Sequence, residues 1–541
     1  LPEPWTRGSL YFRPFSDIAP FFPGGDPRQK DTYGQRQAYL QQHFPAEVRA
    51  HVAGILWHYN RALGAGEASL TNARKLAHPG TLAVVTGQQA GLLTGPLYTV
   101  YKAMTAIALA RQLSRQLGCD VVPVFWIASE DHDFQEVNHV HILSDKNRLH
   151  TVYLSYPLTG QPPVQEVKTG PACRRFLQDC LQRVRTGPYL SDLAALLEET
   201  LDGTGNICDW FGSILLRLFA GEGLVCLNPM LPELRQLQKP VFRQGLETAK
   251  LVNDLLADNA AALAAHGFSA AVQKKAEHTH LFFLQDGQRL PVYLAGAGCR
   301  VGDRHFSLAE LTRLVEERPE LFSPDVILRP VSQEVILPVL AYVAGPGEVD
   351  YWAQLGDIFR AFDLQMPPVF PRASFTLVEP EMEILLAKYR LGPGEIFGDL
   401  AGILEEWLAR RDPAGLPRLF AEGQGELERT YRELLDRLPV SLKEELEAAW
   451  RGSWERTLRH WRWLQSQAAK AHRRQNRDLI HDFRRVEREL LPLGQRQENI
   501  YNFSGYYTRY GPDLLKALEP GLLAGTGHQL VFLGGAVDGT S

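Results

Sequence analysis

At 541 residues the chain is too long for one compact core, and two or three domains are expected. Hydrophobic residues at 45%, charged residues at 22% and a formal net charge of -5 suit a globular protein with no whole-molecule attraction to nucleic acid or anionic membrane, so any basic surface must be local. Six cysteines without a C-x-x-C pair signal neither a disulfide framework nor a zinc ribbon, and fit reduced thiols in a cytoplasm.

The N-terminal stretch LPEPWTRGSLYFRPFSDI places prolines and charges where a signal peptide needs an unbroken apolar run. Residues 82–86 (LAVVT) read as a short buried strand, followed by the glycine-rich loop GQQAGLLTG at 87–95. A helix follows: Thr94 and Gly95 can cap it, Pro96 suits its first turn, and Leu97, Val100, Tyr101, Met104, Ile107 and Ala108 recur at helical spacing up to Gly118. VVPVFWIA at 121–128 is the next buried strand. Strand, loop, helix and strand in this order form a βαβ unit, which predicts a parallel sheet and an α/β core. The most apolar window, 207–227, is broken by Asp209, Arg217 and Glu222 and does not read as a membrane span.

GLVCLNP at 223–229 predicts a third strand. Short β-like runs from about 268 to 306, such as HLFFLQDGQRLPVYLAG, predict a small antiparallel meander inserted into the core. Buried strands return at 335–348 (VILPVLAYVAGPGE) and 367–380 (PPVFPRASFTLVEP) and are expected to complete the sheet. From about 424 to 491 the spacing of Leu427, Tyr431, Leu434 and Leu438, then of Leu442, Leu446, Trp450, Leu458, Trp461 and Leu464, predicts two antiparallel helices. The second is expected to run unbroken to Pro492, roughly 50 residues or about 75 Å at 1.5 Å per residue. A helix of that length usually packs on a partner.

Ligands of open parallel sheets bind at the carboxyl ends of the strands, and three segments fall there. The first is TGQQAGLLTGP at 86–96, with candidate binding residues Thr86, Gly87, Gln88, Gln89, Gly91, Thr94 and Gly95. Its glycines allow close backbone approach, and free N–H groups of the following helix suit a phosphate or carboxylate, or else the loop is a structural turn. It matches neither the Walker A spacing nor G-x-G-x-x-G. The second is SEDHDFQEVNH at 129–139. Glu130, Asp131, His132 and Asp133 in succession at a strand end are expected to face a cleft, because isolated buried charges are costly. Such a run can bind a substrate ammonium, orient a histidine as general base, or hold Mg²⁺ beside phosphates; the plainer reading is a solvated acidic turn. No zinc-ligand spacing accompanies it, and no protein metal site is expected. The third segment, AGPGEVDYWAQL at 344–355, offers Gly345, Gly347, Glu348, Tyr351 and Trp352, the aromatics either stacking on a ligand or filling the core. Arg329 can clamp an anion or form a surface ion pair. Arg473, Arg474, Arg477, Arg484, Arg485 and Arg488 raise nucleic-acid binding, but Asp478, Asp482, Glu487 and Glu489 among them favour a solvated, ion-paired helix face.

These segments resemble the bacillithiol biosynthesis cysteine-adding enzyme (BshC) family. The resemblance is carried by VVTGQQAGLLTGPLYTVYKA at 84–103, VPVFWIASEDHDFQEVNH at 122–139, GPGEVDYWAQL at 345–355 with MPPVFPRASFTLVE after it, and RQENIYNFSGYYTRYGPDLL at 496–515. It implies a Rossmann-type core similar to class I aminoacyl-tRNA synthetases, inserted connecting domains, and a long coiled-coil arm serving a homodimer. The core is then expected over 1–240 and 325–378, the insert over 241–324, the arm over 379–499, and a segment returning to the core over 500–541. The resemblance further implies ligation of cysteine's carboxyl to the amine of glucosaminyl malate. Activation by ATP, with Mg as a possible companion, is expected because a free carboxylate is a poor acyl donor. Asp131, His132 and Asp133 are the expected catalytic residues, His132 as base, and Glu130 and Asn138 join the binding set. The synthetase signatures HIGH and KMSKS do not occur. Two other readings stay open: an ATP-dependent aminoacyl transferase acting on RNA, and a nucleotide-binding scaffold without catalysis.

Overall fold

The computed structural model describes residues 9–146, 148–525 and 527–536. Residues 1–8 of the N-terminal stretch and 537–541 of the C-terminal segment lie outside them. The chain divides into two compact units, one of Glu381–Gly494 and one made by the chain on either side of it.

The larger unit is organised by a five-stranded sheet: β1 (Leu82–Gln88), β2 (Val121–Ile127), β3 (Val225–Leu227), β4 (Val339–Ala344) and β5 (Val369–Pro371). All neighbours pair in parallel, in the order β5-β4-β1-β2-β3. Every residue of β2, β3 and β4 is buried, as a sheet covered by helices on both faces requires. Helix α1 (Leu97–Leu117) makes the crossover from β1 to β2 and stops at Gly118, whose φ of +65° supplies the left-handed cap. From β1 the chain steps outward to β2 and β3, then returns to lay β4 and β5 on the other side of β1. That reversal makes the β1/β4 edge the topological switch point, where the ends of the strands open a crevice.

Two of the expected strands are shorter than the sequence suggested. Val335 and Ile336 end helix α2 (Leu328–Ile336), and Leu337 turns extended (φ -121°, ψ 141°) because it precedes Pro338. Within 367–380 only β5 joins the main sheet. Ser374–Val378 pairs instead, in parallel, with His528–Phe532, a partner about 150 residues away that local pattern cannot reveal.

The meander is present as an antiparallel sheet in which Phe322–Pro324, His278–Gln285, Gln288–Ala295, Gly298–Val301 and Arg304–Ser307 lie in that order. Its first hairpin turns on Asp286 and Gly287, both at positive φ (51° and 74°), the two-residue turn whose twist suits paired strands.

In the smaller unit, helices α3 (Leu416–Asp436) and α4 (Val440–Gln475) run antiparallel, with Phe420 against Trp461 and Tyr431 between Trp450 and Trp454. No residue of either helix is buried. The expected unbroken second helix ends at Gln475. Asn476, with φ -103° and ψ 27°, interrupts it, its side chain bonding the carbonyl of His472 in competition with the helical ladder. Helix α5 (Arg477–Leu490) follows and buries Leu479, Phe483, Val486 and Leu490 on one face. The arginines sit among carboxylates: Arg473 pairs with Glu405 at 2.6 Å and Arg485 with Glu489 at 2.9 Å. Among the described residues, no helix is long and apolar enough to cross a membrane.

Candidate active site at the rim of the parallel sheet

The end of β1 is shaped by what cannot fit there. Thr86 is buried and its hydroxyl donates to Val343 O (2.9 Å), tying β1 to β4. At Gly87 a Cβ would lie 2.9 Å from Trp126 O, so only glycine is accommodated. Beyond it, a Cβ on Gly91 would meet Gly95 Cα at 2.9 Å, and Leu93, Thr94 and Gly95 all take positive φ. The loop is therefore folded tightly on itself.

That folding occupies part of the backbone N–H set expected to hold an anion. Gly91 N–H donates to Gln89 O, Gly95 N–H to Leu92 O and Thr99 N–H to Pro96 O, while Leu97 N–H donates to Tyr501 O at 2.8 Å. Asn502 adds its amide to Leu93 O (2.7 Å) and Gly95 O (2.6 Å). The entry to α1 is thus capped from the C-terminal segment, and two N–H groups of the loop anticipated as a cradle, those of Gly91 and Gly95, are turned inward.

The tetrad after β2 splits by environment. Glu130 is buried and ion-paired with Arg235 at 2.6 Å, so it braces the strand end instead of facing a cleft. Asp131 accepts from the His132 backbone N–H (2.7 Å) and from Gln89 Nε2 (2.6 Å). The same Gln89 nitrogen donates to Glu136 Oε2 at 2.6 Å, so one neutral amide bridges two carboxylates. Burial pushes the Asp131 carboxyl up, but the Gln89 amide, Arg289 and the two following backbone amides outweigh it and hold it below the usual range. Asp133 is exposed. Asn138 serves the adjacent hairpin, its carbonyl accepting from Leu154 N–H and its side chain meeting His139 Nδ1.

His132 meets a residue that no local pattern pointed to. Arg289 Nη1 lies 3.0 Å from His132 Nδ1, and its guanidinium stacks 3.7 Å from the centre of the Phe282 ring. Arg289 Nε donates to Ser323 Oγ and Nη2 to Pro324 O, so the inserted sheet holds the guanidinium in place. Burial and then Arg289 push the His132 imidazole below its ordinary pKa.

The third segment reaches the same rim through Lys102. This lysine, buried in the apolar face of α1, donates to Gly87 O (2.8 Å) and Gln88 Oε1 (2.9 Å) and forms an ion pair with Glu348. Glu348 also accepts from Gly345 N–H (2.8 Å) and Tyr342 OH (2.7 Å). Burial alone would lower the Lys102 pKa, and it does so despite Glu348. Arg329 is held by the Tyr351 hydroxyl and lies over the Tyr342 ring, while Trp352 is fully buried and stacked on Tyr342. Trp352 is therefore core, and Arg329 forms a buried phenol contact, not a surface ion pair. Gly347 has open space where a Cβ would stand.

A cleft of about 610 Å³ opens over the loop, lined by Gln88, Gln89, Thr94, Glu136, His139 and His141 among others. Burial, then the neighbouring His139, pushes His141 down to about 4. No arginine or lysine lines the cleft among the described residues.

The family models settle what this arrangement is related to. Residues 9–373 match the bacillithiol biosynthesis BshC N-terminal Rossmann-like domain, and residues 375–533 match the BshC C-terminal coiled-coil domain. The chain belongs to the BshC family. A Symbiobacterium thermophilum relative named "Putative cysteine ligase BshC" is 38% identical over 97% of this chain and 97% of its own length. A Desulforamulus reducens BshC of the same name is 33% identical over 94% of both. A Campylobacter jejuni structure titled "putative arginyl t-RNA synthetase" overlaps 77% of this chain and 94% of its own at 11% identity with a TM-score of 0.21, too loose a likeness to bear on the fold.

Within this BshC chain, Lys102, Glu136, Arg235 and Arg289 join the site although the sequence did not single them out. Lys102 left one trace, a lysine set among Val100, Tyr101, Ala103 and Met104 on a buried helix face. One further cluster, His278, His280 and Asp325, has the closeness of metal ligands. Its donors are already engaged: His280 Nδ1 faces Asp325 at 3.1 Å, His280 Nε2 faces Asn253 Oδ1 at 3.0 Å, and Lys274 stands 3.6 Å from the carboxylate.

Proposed function

We propose that this protein is a cytoplasmic ligase that joins the carboxyl of cysteine to the amine of glucosaminyl malate. The names of its BshC relatives support the reaction class. The observation that carries the site assignment is the bridge from Gln89 to Asp131 and Glu136, which ties the loop after β1 to the tetrad after β2. Two carboxylates bridged by a neutral amide, with Arg289 acting on Asp131 as well, form a seat for an ammonium group, and both reactants bear one.

Amide formation needs an activated carboxyl, and ATP is the expected activator on chemical grounds. The cleft beside the loop does not fit a triphosphate, because it is lined by no lysine or arginine among the described residues. The residues present account for substrate handling: Asp131 and Glu136 hold a cation, and Lys102 fixes the strand ends on which they depend.

Purified protein given cysteine, glucosaminyl malate and Mg-ATP, read by mass for the thiol product and for the nucleotide, tests the reading. AMP with the thiol product means a cysteinyl adenylate, ADP means an acyl phosphate, and absence of the thiol product overturns the ligase assignment. The exposed apolar side chains of α3 and α4 support a homodimer built through the arm.

A further inference from the structure

The tetrad's histidine has one nitrogen whose chemistry is decided by its neighbour. A guanidinium offers N–H groups and no lone pair, so Arg289 Nη1 at 3.0 Å can only donate to His132 Nδ1. The proton of the neutral ring is then on Nε2. Arg289 cannot turn away to let Nδ1 take a proton, since Ser323 Oγ, Pro324 O and the Phe282 face hold its other edges and plane. Protonating His132 would set an imidazolium against a buried guanidinium.

The charges around the ring do not reverse this. On its own segment Asp131 Oδ1 lies 3.7 Å from Nδ1 but already accepts the His132 and Asp133 backbone N–H groups, and Asp133 is exposed. From the insert come Arg289 and Lys274, both positive. The ring is partly exposed, and among the described residues no partner holds Nε2.

We propose that His132 works as a neutral hydrogen-bond donor through Nε2–H, locked in that tautomer by Arg289 of the inserted sheet, and not as the general base. This rests on the ligase reading: the acceptor is the carbonyl oxygen of the activated cysteine, on which negative charge develops when the amine attacks. A neutral imidazole serves as such a donor without titrating across the working range. His132 is then a catalytic residue and Arg289 a positioning residue. The insert contributes to the site by setting a proton's place on a ring that belongs to the core.

The tautomer can be read without turnover. In ¹⁵N-histidine-labelled protein, the signal absent from His132→Gln should show a protonated Nε2 and an unprotonated Nδ1 from pH 5.5 to 8. In Arg289→Gln the same ring should titrate within that window. A wild-type His132 that titrates there, or that carries its proton on Nδ1, overturns the proposal whatever the ligase assay gives. Arg289→Met, which removes both the charge and the N–H donors but keeps an unbranched chain, serves as the second variant if Arg289→Gln does not fold, and it too should free Nδ1. In turnover, His132→Ala should lose on the order of 100-fold in kcat. His132→Gln, which retains an N–H donor, should recover most of that loss. Equal loss in both variants would favour a base and overturn the donor role.

Discussion

The rim of the sheet and the helical arm solve opposite problems. At the rim, the pairs Glu130–Arg235, Lys102–Glu348 and Arg372–Glu498 are largely buried and each is closed within the protein. In α3 and α4 nothing is buried, and Val440 and Trp463 stand 72% and 62% exposed. The rim is specified by partners it already has. The arm leaves its apolar side chains exposed.

If that contrast is right, breaking a rim pair should be the costliest change in the molecule. Arg372 meets Glu498 in a two-bond fork at 2.8 and 3.1 Å, and Ser374 and the Phe375 amide donate to the same carboxylate. Glu498→Gln leaves the guanidinium buried without its counter-charge, and a loss of about 3–5 kcal/mol is expected in urea unfolding of the larger unit. Burial raises the Glu498 carboxyl, but Arg372 overrides it and holds it at about 2, below the ordinary 4.5. The group is depressed, so its contribution is complete above pH 4.5 and drains away as pH falls toward 2. The Gln variant should lack this acid dependence. Next in size, Asp131→Asn keeps the shape of the site but removes half of the carboxylate pair. Ligase turnover should fall on the order of 100-fold while the urea midpoint of the larger unit hardly moves. A variant with wild-type turnover would break the link between tetrad and chemistry.

How much of this was legible depends on how far apart the cooperating residues lie. β1, α1, β2 and the tetrad could be read because the strand, the glycine loop and the charge run are contiguous. The meander was legible from its short β-like runs. What was missed is separated in sequence: Arg289 acts on His132 across 157 positions, Glu498 on Arg372 across 126, and Asn502 caps the loop at Gly95 across 407. The loop alone does not decide between its two readings, because glycines that permit close approach to a ligand equally permit the chain to close on itself. Glu130 misled for a related reason. A charge at a strand end suggests a cleft only until a partner such as Arg235, on another helix, is brought beside it.

The arm reverses these expectations, because its apolar residues are exposed and its charges are solvated. Leu442→Asp with Leu446→Asp should leave unfolding of the larger unit unchanged and weaken self-association on the order of tenfold or more by sedimentation equilibrium. An unchanged dissociation constant would remove α4 from the interface. The smallest effect should fall on the arm's charges. Arg473 and Glu405 meet at 2.6 Å, but both side chains stay solvated, at 44% and 61% exposure. Holding two long side chains in one geometry costs entropy that nearly cancels their screened attraction, so Arg473→Ala should change stability by roughly 0–1 kcal/mol. The remainder should shrink further in high salt. A loss as large as that of Glu498→Gln would mean that Arg473 is buried in the assembled protein, and the arm would then resemble the rim after all.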